Sequence, residues 1–523
     1  MNYYVYIKTN NGSDYMRTKQ ILRNTLAETI PYIILGIVGI IKVRFLIMGL
    51  GSEVNGYFQF INRIIMYLFI VEAGFSGAVI FKLYKPFADQ NIEKVTELFN
   101  GARKIFRIIG FLIAGLILVM TIAIPLFFDI SVHYTLPVML SFLIIAGAYL
   151  LPYFGKSFTY FTLLCADQKK YVHALIFNGL KIVCDILIII AVIVTGNIVA
   201  IAVVILIIKI IEEIIFRIVC RRIYPYLKMT KKQDTTPAKM TKDIVWHQFG
   251  FLISNNMPVV IGFYFLGPIA VSILTTYLFI SMFLNEFTSR INNIVSFSFG
   301  NMFAKKETKK TYKTYDEYFI LSAFVAIVVA LTFVLGIRPF VGIWIGKPEY
   351  IINYTTVILM GTTLFLWTIY SPLVAVIVAN GLYKESKWFI FISTFISLVV
   401  SVSLINTIGI AALFIGAVIG IIVNLVLRAW LVRKMVLPKL SLKTKLFEYA
   451  TYTVIFMALC VALQPIEAYL TNINNPILTI IAIGGVFIIS IIVTFAIMYF
   501  TKHNTKALIK RFSLLIKQRK KVA

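Results

Sequence analysis

Residues 198–223 read IVAIAVVILIIKIIEEIIFRIVCRRI. The stretch is apolar without alternation until Lys209, and it ends in a basic pair, Arg221-Arg222. A run of about twenty apolar residues crosses a hydrocarbon core of ~30 Å as an α-helix. Transmembrane β-strands instead alternate apolar and polar residues, so continuous runs exclude a β-barrel. Comparable runs recur near 25–48, 57–82, 107–128, 135–163, 171–195, 197–217, 245–266, 268–297, 317–337, 351–379, 387–406, 408–430, 447–466 and 476–500. The predicted fold is an all-α integral membrane protein of about fourteen transmembrane helices. Composition agrees: 60% of the 523 residues are hydrophobic and 14% charged, and mean hydropathy is +0.90. A soluble domain carries about 25% charged residues.

The net charge of +28 has a topological reading. Membrane proteins concentrate Lys and Arg in cytoplasmic loops. With the polar, basic N-terminus inside, 41 of the 50 basic residues fall in inner segments, whereas the outer loops hold Arg338 and Lys347. Both termini are therefore expected in the cytoplasm. Trp246, Trp388 and Trp430 fall at inner helix ends and Trp344 in an outer loop, as interfacial anchors do. The outer connections are very short, Gly196-Asn197 among them, which leaves no room for an outer catalytic domain.

A shift of 216 residues aligns Leu50-Gly51 with Leu266-Gly267 and Phe87-Ala88 with Phe303-Ala304; a shift of 213 aligns Ala166-Asp167 with Ala379-Asn380. These matches predict two six-helix lobes of the same orientation, related by a pseudo-two-fold repeat, with two C-terminal helices outside it. The expected organisation is a cytoplasmic segment 1–24, an N-lobe 25–217, a basic cytoplasmic linker 218–244, a C-lobe 245–430, a second linker 431–446, helices 13 and 14 over 447–500, and a basic tail 501–523.

Ionisable residues inside spans are costly and tend to face a cavity or a partner. Most lie in the first lobe. Lys181 and Lys209 fall near mid-membrane, Lys42, Arg44 and Arg63 in the outer half, and Glu72 nearer the middle. Lys156, Glu286 and Arg290 lie toward the cytoplasmic ends, and helices 9 to 12 are nearly free of charge until Arg428. Cations spread along the path suit an anionic cargo, because Arg and Lys both bind phosphate. Arg63, Lys181, Lys209, Lys42 and Arg44 are the candidate cargo-binding residues; Glu72 and Asp185 are candidates for ion coupling or charge pairing. A purely structural reading stands beside each one. Lys181 and Asp185 are spaced i, i+4, and Lys209 lies beside Glu212 and Glu213, so these groups also suit mutual neutralisation. Asn255-Asn256-Met257-Pro258 predicts a kink in helix 7, and Gly416 to Gly420 is a lone GxxxG.

Several chemistries find no support. There is no phosphate-binding loop and no HExxH, and the four histidines and four cysteines are scattered. No enzyme activity, cofactor or metal is expected. The basic tail, Lys517 to Lys521, suits anionic lipid better than nucleic acid.

The stretch Leu50-Gly-Ser-Glu-Val-Asn-Gly-Tyr-Phe-Gln-Phe-Ile-Asn-Arg63, followed by Glu72-Ala-Gly-Phe-Ser-Gly-Ala78, resembles the Wzx-type polysaccharide transporters of the multidrug/oligosaccharidyl-lipid/polysaccharide flippase (MOP) superfamily. Ile253-Ser-Asn-Asn-Met-Pro-Val-Val-Ile-Gly-Phe-Tyr-Phe-Leu-Gly267 is similar to the matching second-lobe segment, which often carries an Asn-x-x-Asp-Asn-like cluster; here its acidic residue is missing. The resemblance implies a V-shaped two-lobed fold. It also implies movement of an undecaprenyl-pyrophosphate-linked oligosaccharide from the inner to the outer leaflet of a bacterial cytoplasmic membrane, by alternating access. The expected partners are that lipid-linked oligosaccharide, anionic membrane lipids, and a polysaccharide polymerase with its export machinery; the expected state is a monomer. The alternatives are a cation-coupled multidrug exporter and a peptidoglycan lipid II flippase of the same superfamily, and, from another class, a membrane glycosyltransferase or polymerase.

Overall fold

The structure is a computed structural model that describes residues 10–227, 230, 232–237, 242–304, 308–473 and 475–501, with side chains described except at 10–26, 28, 70–74, 242–249, 251, 290–298, 300–301, 304, 308–309 and 500–501. Every strand-free element among these residues is a helix. In chain order they are α1 (Asn10–Leu68), α2 (Ile70–Ala88), α3 (Ile92–Phe127), α4 (Val132–Gly155), α5 (Ser157–Ala166), α6 (Lys170–Thr195), α7 (Ile198–Ile223), α8 (Lys242–Ala304), α9 (Thr308–Ile345), α10 (Tyr354–Ile369), α11 (Ser371–Ala379), α12 (Tyr383–Ile408), α13 (Ile410–Met435), α14 (Leu442–Ala462), α15 (Gln464–Thr471) and α16 (Pro476–Thr501). Among the described residues eleven helical segments are long and apolar enough to cross a membrane, against the fourteen of the sequence reading; one of them, Tyr354–Ala379, joins α10 and α11. A helix satisfies its own backbone hydrogen bonds, which hydrocarbon requires of any spanning segment. The chain is a multi-pass membrane protein.

Contacts divide the chain into two units, Met1–Ser272 and Ile273–Ala523. Their elements repeat. α6 and α12 begin and end 213 residues apart and are 26 residues each. The backbone repeats as well. Gly51 breaks α1 at φ 83°, ψ 163°, and Gly267 breaks α8 at φ 80°, ψ 179°. That region of backbone space is essentially glycine-only. Gly196 (φ 56°) and Gly409 (φ 58°) end α6 and α12 at the 213-residue shift.

Several boundaries differ from the sequence reading. The span expected at 135–163 is two helices, broken at Lys156, whose φ is 100°. The span at 351–379 is likewise broken, at Tyr370. Within α8, which contains Pro258, the residue that leaves helical geometry is Gly267. Asn256 Nδ2 donates to the Leu252 carbonyl one turn back, at 3.0 Å, and so keeps its own side chain within the helix.

In the first unit the turns segregate into two ends. At one end Gly49 packs on Val192 beside the α6–α7 turn, and Ser131, before α4, donates to Glu53 at 3.1 Å. At the other, the Tyr224 hydroxyl after α7 donates to Asp167 after α5, at 2.9 Å. The connector that follows docks on the start of α3. The Asp234 amide donates to the Glu97 carbonyl at 3.1 Å, Lys94 meets the Asp234 carboxylate at 2.9 Å, and Asn100 donates to Thr230 at 3.3 Å. Gly101 permits the approach, since a Cβ there would lie 1.9 Å from the Asp234 carbonyl oxygen.

The second unit is apolar inside, with α9 and α10 at its core. Its polar ties are few and buried. Arg338 Nη1 donates to both Glu467 oxygens at 2.9 and 3.1 Å, and Glu467 is 1% exposed. The Tyr277 hydroxyl donates to the Tyr350 carbonyl at 2.8 Å. The GxxxG pair is a packing device: a Cβ on Gly416 or Gly420 would lie 2.4 or 2.6 Å from the α12 carbonyls of Ser397 and Ser393.

Two outcomes follow from the glycine geometry. Gly51→Ala lowers thermal stability by roughly 1–3 kcal/mol, the cost of an L-residue in that backbone region. Gly484→Ala, at an open helical position, raises it by about 0.5–1 kcal/mol. Thermal unfolding in one detergent checks both, and equal effects would remove the strain argument. Gly101→Ala overpacks the connector by about 1–3 kcal/mol and speeds tryptic cleavage at Lys232 by about tenfold. Burial pushes the Asp234 carboxyl up, but hydrogen bonds from Thr236 and the Lys94 ammonium outweigh it and hold it at about 2. With a folded value below the ordinary 3.8, its contribution is complete above that pH and lost as pH falls through about 2. Tryptic protection at Lys232 is therefore unchanged between about pH 6 and 8.

Candidate functional site

Three helices of the first unit, α1, α6 and α7, bring charged side chains together. Lys42 on α1 meets Asp185 on α6 with Nζ–Oδ1 at 2.6 Å; the two side chains are 21% and 7% exposed. Lys181, one turn before Asp185, is exposed and lies within electrostatic reach of Lys42, Asp185 and Lys209. Lys209 on α7 meets Glu212 at 2.9 Å. Its ammonium also sits 4.6 Å from the Phe177 ring centre and 5.2 Å from that of Tyr149 on α4. Cation–π contacts of this kind are worth roughly 0.5–2 kcal/mol according to desolvation. Three lysines thus face two carboxylates.

The i, i+4 arithmetic named the wrong partner for Asp185. Its carboxylate closes on Lys42, 143 residues away, at 2.6 Å rather than on Lys181. Helix spacing places Lys181 and Asp185 on one face, but the packing of α1 on α6 brings the Lys42 ammonium closer. The Lys209–Glu212 pair does follow its sequence spacing.

Arg63 stands apart from this cluster. It lies beyond Gly51 on α1, and its Nη1 donates to Asn256 Oδ1 on α8 at 3.0 Å. Asn256 is 2% exposed and, two residues before Pro258, belongs to the polar cluster in which the acidic residue is missing. Nearby, Asn55 Nδ2 donates to Ser272 Oγ at 2.7 Å. Aromatic rings pack the same seam, with Phe60 stacked on Phe263 at 4.0 Å. Arg44 is exposed on α1. The side chains of Glu72, Glu28 and Arg290 lie outside the described residues.

A further set of cations went unmarked in the sequence, because as loop charges they satisfied the topology rule. Arg103 and Arg107 on α3, and Arg217 and Arg221 on α7, lie within electrostatic reach of Lys156 at the α4–α5 break. Their clustering depends on packing among three elements distant in sequence, and no spacing signals it. In the second unit Arg428 is 6% exposed, and its Nε donates to Asn424, which in turn donates to Ser393 at 3.1 Å. Among the described residues, no group of three His, Cys, Asp or Glu side chains is placed to hold a metal ion.

No sequence-family profile and no curated protein sequence matches the chain. Solved structures do. A lipid II flippase, MurJ, in an inward closed conformation superposes with a TM-score of 0.67 at 15% identity, over 90% of this chain and 98% of that one. An inward-facing multidrug resistance MATE family transporter of the MOP superfamily gives 0.65 at 13% identity, over 81% and 99%. A MOP superfamily transporter from Pyrococcus furiosus, described by the reverse polarity of its binding pocket, gives 0.57 at 15% identity, over 81% and 98%. The fold is that of the MOP-type transporters.

Removing one member of the α1–α6 pair strands the other charge. Asp185→Asn lowers stability by about 3 kcal/mol, the usual cost of breaking a buried ion pair, and the double variant Lys42→Met/Asp185→Leu recovers most of it. Thermal unfolding of the singles and the double checks this; additive losses would mean that the pair is not coupled.

Proposed function

We propose that the chain is a flippase for an anionic, lipid-linked oligosaccharide, carried on undecaprenyl pyrophosphate from the inner to the outer leaflet of a bacterial cytoplasmic membrane. The observation that supports the reading most is the lysine excess at the α1–α6–α7 cluster. Pyrophosphate is the costly part of such a cargo to move through hydrocarbon. Lys181, beside the paired Lys42 and Lys209, supplies cationic charge that a phosphate oxygen takes up. Lys42 and Lys209 add to it by exchanging a carboxylate for a phosphate. Arg63, held by Asn256, offers a planar fork of donors, which suits phosphate bidentately. Arg44 belongs to the same proposed path, and Asp185 serves as a charge partner rather than an ion-coupling site. The anionic lipids of the membrane, and the polymerase that consumes the flipped unit, are the partners on this reading.

The fold it shares with MATE transporters leaves multidrug export as the second reading. A cationic drug calls for an acidic cavity, and the excess of lysine at this cluster disfavours it. Lipid II, a pyrophosphate-linked saccharide on the same type of carrier, presents the same anionic chemistry.

Mass spectrometry of lipid extracts from cells depleted of the protein tests the proposal. The expected result is accumulation of an undecaprenyl-pyrophosphate glycan with loss of its surface polymer; the glycan's composition identifies the cargo and separates a polysaccharide unit from lipid II. Lys181→Ala or Arg63→Ala lowers flipping about tenfold or more, as loss of one charge-assisted hydrogen bond of about 1.5–3 kcal/mol implies. Depletion that leaves lipid-linked glycans unchanged while raising sensitivity to cationic drugs would overturn the flippase reading in favour of export.

A further inference from the structure

Lys156 occupies the break between α4 and α5 with a left-handed backbone, φ 100°. It is half-buried and lies within electrostatic reach of Arg103, Arg107, Arg217 and Arg221. Arg103 is in turn within reach of Arg107 and Arg217. Five cations from α3, the α4–α5 break and α7 therefore gather at one end of the first unit, the end that the asymmetry of basic residues assigns to the cytoplasm. The carboxylate among them is Glu213, one turn before Arg217. It packs against the backbone of Gly155, where a Cβ would lie 2.0 Å from Oε1.

The topology rule alone does not explain this grouping. Cations that only mark the inner side project into water, as the exposed Arg107 and Arg221 do. Lys156, Arg103 and Arg217 are instead half-buried, and the Arg217 Nε is buried without a hydrogen-bond partner. Like charges brought together while losing water repel, and among the described residues one carboxylate stands beside five cations. The helix α5 adds to the same field. It runs for ten residues, begins at Ser157 beside this cluster, and has no side-chain cap on its N-terminus. A helix start carries a partial positive charge and unpaired N–H groups, both of which favour an anion.

We propose that this cluster is a binding site for a phosphate-bearing group, separate from the α1–α6–α7 lysines. The guanidinium groups of Arg103 and Arg217 make the close contacts, Lys156 and the start of α5 complete the cradle, and the exposed Arg107 and Arg221 form its rim. The ligand is a phosphate or pyrophosphate, carried either on a lipid headgroup or on a soluble molecule. The inference does not rest on the flippase reading and stands or falls with anion binding alone.

Isothermal titration calorimetry on the full chain in phosphatidylcholine nanodiscs tests it, with inorganic pyrophosphate and farnesyl pyrophosphate as probes. The expected result is saturable binding that weakens at least tenfold in Arg107→Gln/Arg221→Gln, whose exposed positions leave folding intact, and more in Arg103→Gln/Arg217→Gln. Arg222→Gln, one residue beyond the rim, changes binding less than twofold. A farnesyl pyrophosphate affinity tenfold above that of pyrophosphate, with the same sensitivity to the variants, identifies a lipid headgroup; equal affinities identify a soluble phosphate. The proposal is overturned if neither probe binds, if the rim variant binds as the parent does, or if Arg222→Gln weakens binding as much as the rim variant, since that result reports surface charge alone.

Discussion

An ammonium group loses several kcal/mol of hydration when it enters a helical bundle surrounded by hydrocarbon, and it stays charged there only beside a partner. The contact of Lys42 with Asp185, at 2.6 Å, meets that constraint and ties α1 to α6. Lys209 meets it in three ways at once, through Glu212 and the faces of Tyr149 and Phe177, which bring α4, α6 and α7 to a single ammonium. The first unit is therefore organised around charges that hold one another. The second unit has a more apolar interior, and its cations Arg338, Arg428 and Lys445 make short contacts with Glu467, Asn424 and Asp316.

Local features of the two units come in pairs at nearly constant shifts along the chain. A broken helix, α4–α5, has its counterpart in α10–α11, and a glycine turn at Gly196 has one at Gly409. The pairs share backbone geometry but not chemistry. Lys156 fills the break in the first unit and Tyr370 the break in the second. Backbone positions that demand glycine persist because no other residue adopts them at low cost. Side chains at equivalent positions are free to diverge, and the divergence has given the first unit its cations.

That asymmetry sets what was legible in the amino-acid sequence. Helices were readable because apolar runs announce themselves, and the breaks at Gly51 and Gly267 fell where the 216-residue repeat put them. The break at Lys156 was not readable, since an apolar run continues on both sides of it. Individual membrane charges were readable too, as exceptions to their surroundings. Their partners were less so. Lys209 and Glu212 share one helix, and spacing sufficed; Lys42 and Asp185 meet across 143 residues, and only the packing of α1 on α6 decides that contact. The arginines around Lys156 were hidden for a different reason. Each obeys the rule for inner loops, so none stood out alone, and their meaning lies in being grouped.

The two cation clusters of the first unit differ in balance, and on the proposed function that difference has a use. Around Lys156 the described residues bring five cations to one carboxylate, and that carboxylate, Glu213, lies against Gly155. At the α1–α6–α7 cluster three lysines meet two carboxylates, and a phosphate must compete with Asp185 and Glu212 for Lys42 and Lys209. Competition of this kind weakens binding, and a translocation path benefits from it, because a cargo held tightly at mid-path is not released. On that reading, lysines that already hold carboxylate partners and an excess of cations at one end of the unit together suit a path that takes up an anion without trapping it.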